Sequence, residues 1–246
     1  MTGIERGVRF WIERNVFDSG VLAPNVGMLR HEDATTLLPH DGREIADAGR
    51  RAGYDLIMLA SSRPVSLDGF VHLGTTEEYA TTVADMERRL PRSDHFLLEQ
   101  VDAGGWAAVE TLLDYGAPTR FRRDTKLTRE TAARHKMINI KARAAPSPEF
   151  TVLARSRSGE PLGFLCAFVR DRTFVLYELM IGPHAARGVI AGELLRENVN
   201  ALRRRQPGIE KVIALVYTDN TESIAFFTRL GLRSTGRLTS HYHLWP

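Results

Sequence analysis

The sequence predicts an α/β protein in which a mixed, mostly antiparallel sheet is flanked by helices. Three observations predict it. First, three apolar runs at 150–154, 162–170 and 173–181 are joined by the short polar turns 155–159 and Asp171-Arg172, the pattern of an antiparallel meander. Second, the run 174–181 passes through Gly182-Pro183 and a short loop with Arg187 and Gly188 into a helix expected to begin near Glu193, a strand-loop-helix unit. Third, the buried-strand run 211–216 leads into Asp219-Asn220-Thr221-Glu222, where Asp219 and Glu222 have the spacing of a capping box; a helix with Ile224, Phe226, Phe227 and Leu230 follows and stops at Gly231.

Residues 8–13 read as a short strand and 17–29, with Gly20, Pro24, Asn25 and Gly27, as a turn-rich connection. A helix is expected over 39–53, from Asp41 to the stop at Gly53, and a buried strand over 54–60. More β structure is expected at 70–73 and 79–83. The stretch 88–93, polar and broken by Pro91, is the expected linker, dividing an N-terminal domain, 1–92, from a larger one, 93–246. The second domain opens with a strand at 96–101. A helix capped by Asp102 carries Trp106, Val109, Leu112 and Leu113 on one face and closes at Gly116; after the loop with Pro118, another helix spans 129–144. An aromatic-rich strand, 234–245, closes the chain.

At 246 residues there is enough chain for one large or two small cores, and 43% hydrophobic with 26% charged residues is ordinary for a soluble globular protein. No apolar run reaches the roughly 18 residues of a membrane span. Residues 1–14 lack the apolar core of a signal peptide, which makes the cytoplasm the expected location. The net charge of +3 is a mild bias, and no basic helix with interleaved aromatics argues for nucleic acid. Cys166, the single cysteine, lies in an apolar run and reads as a small buried hydrophobe more readily than as a nucleophile.

The strand-loop-helix unit has the geometry of a phosphate site, because N–H groups of a helix N-terminus lack intrahelical partners and the helix dipole adds positive charge there. With the pattern Asn220-x-x-Ser223-x-x-x-Phe227-x-x-x-Gly231-Leu232 after the next strand, the order resembles the GNAT superfamily of N-acyltransferases. There the arginine- and glycine-containing loop holds the pyrophosphate of acetyl-CoA, so the resemblance implies acetyl-CoA as co-substrate; no metal is expected, because His241 and His243 share a strand face without Cys or carboxylate ligands at suitable spacing. The resemblance also implies that 1–92 is a reduced, diverged copy of half a GNAT domain; an unrelated α/β cap reads equally well. Within the superfamily, the reduced N-terminal half, the segment Arg120-Phe121-Arg122 and the aromatic last strand are similar to the dTDP-fucosamine acetyltransferase group, which acetylates a nucleotide-linked amino sugar.

The resemblance assigns roles residue by residue. Glu178, a carboxylate within an apolar strand, is the candidate base for the amine proton. Co-substrate contacts fall on Met180 and Ile181, whose backbone would pair with the pantetheine arm, on Ala186, Arg187, Gly188, Val189, Ile190 and Ala191 in the loop, and on Asn220, Phe226 and Phe227. Arg120, Phe121 and Arg122 are the substrate candidates. Three positions depart from the family: Ala185 and Ile190 alter the loop, and Phe227 replaces the tyrosine whose hydroxyl would protonate the departing thiolate. Three readings follow: Tyr242 or Tyr217 stands in for it, the thiolate leaves unprotonated with help from the helix dipole, or the protein no longer turns over. The expected partner is a small-molecule amine, with no nucleic acid or membrane and with a homodimer allowed; a polyamine, an antibiotic, a protein N-terminus or a non-catalytic acyl-CoA-binding role are the alternatives.

Overall fold

A computed structural model describes residues 10–31, 37–116, 119–183 and 186–246. They form two compact units that interleave along the chain, where the sequence reading drew one boundary at 92/93. One unit is made of Met1–Thr76, Pro118–His135 and Arg237–Pro246 as far as these are described, the other of Glu77–Ala117 and Lys136–Gly236. Among the described residues no helix is long and apolar enough to cross a membrane.

The first unit is built on strands β1 (Phe10–Arg14), β2 (Val26–His31) and β3 (Leu56–Ser61), with helix α1 (Asp41–Arg51). β1 runs antiparallel to β2, β2 parallel to β3, and β3 antiparallel to the end of the last strand, β10 (Arg233–Leu244), with Ile57 opposite Leu244 and Ser61 opposite Ser240. β2 was expected as a turn: Pro24, Asn25 and Gly27 mask it, and parallel pairing to β3 supplies what local sequence does not. β3 is buried on both faces, which explains its unbroken apolar run. Ile57 and Leu59 pack with Phe10, Leu29, Ile45 and Tyr242, whereas Leu56 and Met58 pack with Val26, Phe121 and Ala132.

Two carboxylate-imidazole pairs lie inside this unit. His135 on α5 (Arg129–Ala144) meets Asp18 at 2.5 Å, and Nδ1 of His243 meets Asp124 at 2.6 Å, while Trp245 donates its indole N–H to the same Asp124. Burial alone would raise the Asp124 carboxyl, but these hydrogen bonds and the Lys126 N–H outweigh it and hold the group below its usual range. His241 is pushed down to about 3, chiefly by burial and then by the Arg120 guanidinium, whose Nη1 stands 2.9 Å from its Nδ1. Burial also lowers His243.

In the second unit the strand order is β4-β9-β8-β7-β6-β5, formed by the part of β4 (Val71–Thr82) from Glu77 onward, which runs into the short helix α2 (Val83–Glu87), and by β5 (Leu97–Gln100), β6 (Thr151–Arg155), β7 (Pro161–Arg170), β8 (Thr173–Ile181) and β9 (Lys211–Tyr217). β6, β7 and β8 form the expected antiparallel meander, β5 pairs antiparallel with β6, and β8 runs parallel to β9. On one face Ala154, Leu165, Phe174 and Val212 pack against Ile190, Leu194 and Leu195 of α6 (Arg187–Arg205). On the other, Leu153, Phe164 and Cys166 pack against Val109 and Leu112 of α3 (Gly105–Leu112) and Ile140 of α5. β4 was expected as two strands and is one. Its middle is polar, so no apolar run shows there, and its side chains instead bond to β10 through Thr75–Ser240, Ser234–Glu77 and Thr235–Glu78 carbonyl contacts.

Helix α6 begins at Arg187, six residues before the expected start near Glu193. Gly188, Val189 and Gly192 lower local helix propensity, but burial of Ile190 and Ala191 and the close approach of Pro91 to Gly192 decide the matter. A side chain at Gly192 would stand 2.6 Å from Pro91 Cγ. The expected linker is therefore packed. Arg196 donates to the Pro91 and Ser93 carbonyls and to Asp94, and the fully buried Glu193 accepts from the N–H groups of His95 and Phe96 and the Ser93 hydroxyl. Replacing Glu193 by alanine leaves these part-buried donors without their acceptor, and chemical denaturation should show a loss of about 1–3 kcal/mol, with Glu193→Gln intermediate.

A second prediction concerns acid. The unfolded chain takes up a proton on His241 near pH 6.5 that the folded chain refuses until about pH 3. Stability from this group is thus complete above pH 6.5 and is lost as pH falls across that interval. The melting temperature should decline over the same window, and His241→Gln should flatten the decline.

Candidate active site

The site grows from a place where two parallel strands stop pairing. β8 and β9 are in register from Thr173–Lys211 to Leu176–Ala214, and no pair between them follows among the described residues. At the same level β8 carries a bulge: Cys166 of β7 pairs with Glu178 and Ala167 with Leu176, leaving Tyr177 as the extra residue. Beyond it, the edge of β8 that faces β9 has no strand beside it. A cavity of about 550 Å³ opens there, within the size range of small-molecule sites.

Its walls come from three directions. Leu179, Met180 and Ile181 end β8; Arg187, Gly188 and Ala191 form the first turns of α6; Asn220, Glu222, Ser223, Ala225, Phe226 and Arg229 belong to the start and one face of α7 (Thr221–Arg229). Tyr115 and Gly116 complete the lining. Two helix N-termini thus point their partial positive charge at the cavity, and the first turn of α6 carries no acidic side chain to offset it. Arg187 is steadied by the Gly182 carbonyl at 3.2 Å and lies 3.9 Å from Glu222. The cap of α7 is Asn220, whose side chain accepts from the Ser223 N–H, in place of the expected Asp219.

The arrangement suits one kind of ligand. An unpaired strand edge takes an extended, amide-bearing chain as an added strand, and helix N-termini with two arginines take anionic groups.

Most of the residues expected at the co-substrate lie together here: Met180, Ile181, Arg187, Gly188, Ala191, Asn220 and Phe226 all line the cavity. Ala186 is the residue before α6 and Val189 is half-buried. Ile190 and Phe227 belong to the core of the second unit, so Ile190 is an α6 packing residue and not part of a lengthened loop. His184 and Ala185 lie outside the described residues.

Glu178 is partly exposed, and its Oε1 is 3.2 Å from Nζ of Lys136, whose side chain is 7% exposed. Sequence reasoning passed over Lys136 because a helical lysine usually faces water. The signal was its place on the stripe Ala132, Lys136, Ile140, Ala144, which is buried throughout. Tyr115 was missed as well, because a short turn after a helix carries no periodic pattern. The Cys166 thiol is pushed up to about 12, mainly by burial, and stays protonated as the sequence suggested.

Of the other expected residues, Tyr242, Arg120, Phe121 and Arg122 are in the first unit and Tyr217 is in the second. Tyr242 is 5% exposed, packs in the core with Leu59 and Leu244, and its hydroxyl accepts from the Val65 N–H. That placement corrects its expected role as proton donor, since the ring is enclosed in a core. Tyr217, at the end of β9, is half-buried and is not among the lining residues. Phe121, in α4 (Arg120–Arg123), is buried with its ring 4.0 Å from that of His135, and Arg120 lies over the same ring. Arg122 is half-buried in the same short helix.

A model of the acetyltransferase (GNAT) family matches residues 108–232, just over half of the chain, and the chain belongs to that family. Members use acetyl-CoA as co-substrate and transfer its acyl group. Solved structures share the fold at low identity. A conserved Staphylococcus epidermidis protein of unknown function matches at 13% identity with a TM-score of 0.62, covering 90% of this chain and 84% of its own. A GCN5-related N-acetyltransferase from Sphaerobacter thermophilus has 13% identity and a TM-score of 0.58, covering 95% and 75%. A tandem GNAT protein of the clavulanic acid biosynthesis pathway has 12% identity and a TM-score of 0.56, covering 89% and 74%. No curated protein matches the sequence.

Proposed function

We propose that this chain is an acetyl-CoA-dependent N-acetyltransferase acting on the amine of a small molecule, with a nucleotide-linked amino sugar as the acceptor class to assay first. The observation that carries the reading is the cavity in which the unpaired end of β8 meets the N-termini of α6 and α7, with Glu178 at the bulge beside it. In this reading the pantetheine arm lies along β8, its amides bonded to the backbone of Met180 and Ile181, and the pyrophosphate sits on the N–H groups at the start of α6 with Arg187 and Arg229. Glu178 takes the proton that the amine must lose, directly or through one water. The amino-sugar acceptor rests on sequence resemblance alone, through the reduced N-terminal half, Arg120-Phe121-Arg122 and the last strand. The match over 89% of this chain to a tandem protein supports reading residues 1–92 as a diverged GNAT-like half.

The first test is thermal. Acetyl-CoA at about 100 times its dissociation constant stabilises a fold by roughly 2.7 kcal/mol, so the melting temperature should rise by several degrees. Thiol release should then appear with an amine acceptor and not without one. No shift at millimolar acetyl-CoA would remove the co-substrate from this cavity and the reading with it. Glu178→Gln should keep the thermal shift and lower kcat by about 10²–10⁴-fold, the range for loss of a positioned base; full activity in this variant would take the base role away from Glu178.

A further inference from the structure

A family member that breaks a thioester with phenylalanine in the usual place of the hydroxyl donor either takes the proton from another group or releases the thiolate unprotonated. Phe227 is 7% exposed in the second unit's core, and Tyr242 is enclosed in the first. We infer that Lys136 is the proton donor to the departing thiolate, acting with Glu178 as a single acid–base unit; this rests on the acetyl-transfer reading of the cavity.

Placement carries the inference. Lys136 is one of only four lysines in the chain, and its side chain is almost wholly buried on a helix face otherwise made of Ala132, Ile140 and Ala144. Burying the ammonium costs desolvation that an apolar side chain in its place would not, so packing alone gives no reason for it. Lys136 is not itself a lining residue, but its ammonium stands directly behind two that are. A Cβ placed on Gly116 would come within 3.1 Å of Lys136 Nζ and 2.7 Å of Met180 Cε, and both Gly116 and Met180 line the cavity. Glycine at 116 leaves the ammonium without a methyl group in front of it. The partner Glu178 lies directly after the bulge, with Oε1 on the lysine and the carboxylate still partly exposed.

The proton balance then closes without another reactant. The amine nitrogen bonds to the acetyl carbon and the carbon–sulfur bond breaks. The amine proton goes to Glu178, and the Lys136 ammonium gives a proton to the leaving sulfur. The proton on Glu178 crosses the 3.2 Å contact to the neutral lysine, restoring the resting pair. At the moment negative charge develops on the thioester, the carboxylate has become neutral and the lysine charge is no longer cancelled, which stabilises that charge.

The test compares Lys136→Met, Lys136→Arg, Glu178→Gln and the double variant Lys136→Met/Glu178→Gln by kcat, by KM for acetyl-CoA and by the acetyl-CoA melting shift. Lys136→Met is expected to lose about 100-fold or more in kcat while keeping the melting shift. Arginine keeps the positive charge and gives up no proton at neutral pH, so Lys136→Arg should recover none of the loss. The double variant should be no worse than the poorer single one, because groups that act as a unit are not additive. Near-normal kcat in Lys136→Met, recovery in Lys136→Arg, multiplied losses in the double variant, or a larger kcat loss in Tyr115→Phe than in Lys136→Met would each overturn the assignment. Absence of turnover in the unaltered protein, with the melting shift present, would instead overturn the acetyl-transfer reading and this inference with it.

Discussion

The site depends on an interruption: β8 and β9 pair for four residues and then part company. A parallel pair kept in register to the ends of both strands would fill its own backbone groups and leave no edge to offer. Because pairing stops at Leu176–Ala214, the last residues of β8 keep a free edge, and the helices that follow each strand bring their N-termini to the same opening. The bulge at Tyr177 belongs to the same event, since the extra residue sets where Glu178 falls relative to β7.

A gap of this kind is stable only if its walls are fixed from behind. On one face, α6 is seated by Ile190, Leu194 and Leu195 in the core and clamped to residues 91–96 by the buried Glu193 and by Arg196. The clamp joins the helix to the segment leading into β5, so the turn that carries Arg187 and Gly188 starts from a rigid base. On the other face, α3 and α5 pack on β7 and bring Gly116 and Lys136 to Met180. The polar groups of the gap therefore stand on elements held by apolar contacts.

Much of this was legible in the sequence where period and punctuation agreed. The meander, the helix 129–144 and the order strand, loop, helix, strand, helix at the C-terminal side all appear as expected, and Glu178 and Asn220 could be singled out from that order. What escaped did so for physical reasons. β2 is held by its parallel neighbour and not by its own residues, and the polar middle of β4 hides a strand whose cross-strand contacts are hydroxyls. The early start of α6 is a tertiary effect that local propensity opposes. Lys136 has the chemistry of a surface residue and the spacing of a core one, and only the fold says which prevails. The pairs Asp18–His135 and Asp124–His243 join residues more than a hundred positions apart, a distance over which no single-sequence pattern reaches.

The interleaving of the two units bears on how the chain comes to be folded. β3 takes its antiparallel partner from residues 240–244, and Asp124 finds His243 and Trp245 only there. During synthesis β1, β2 and β3 emerge well before residues 240–244, the partner of β3, while the meander β6–β8 is made in between. Contacts of such sequence separation slow closure and leave an unpaired strand exposed in the interim. Strands β1–β3 are therefore the part that a chaperone would hold, and a proteolytic cut just before residue 240 would take from β3 a partner made long after it.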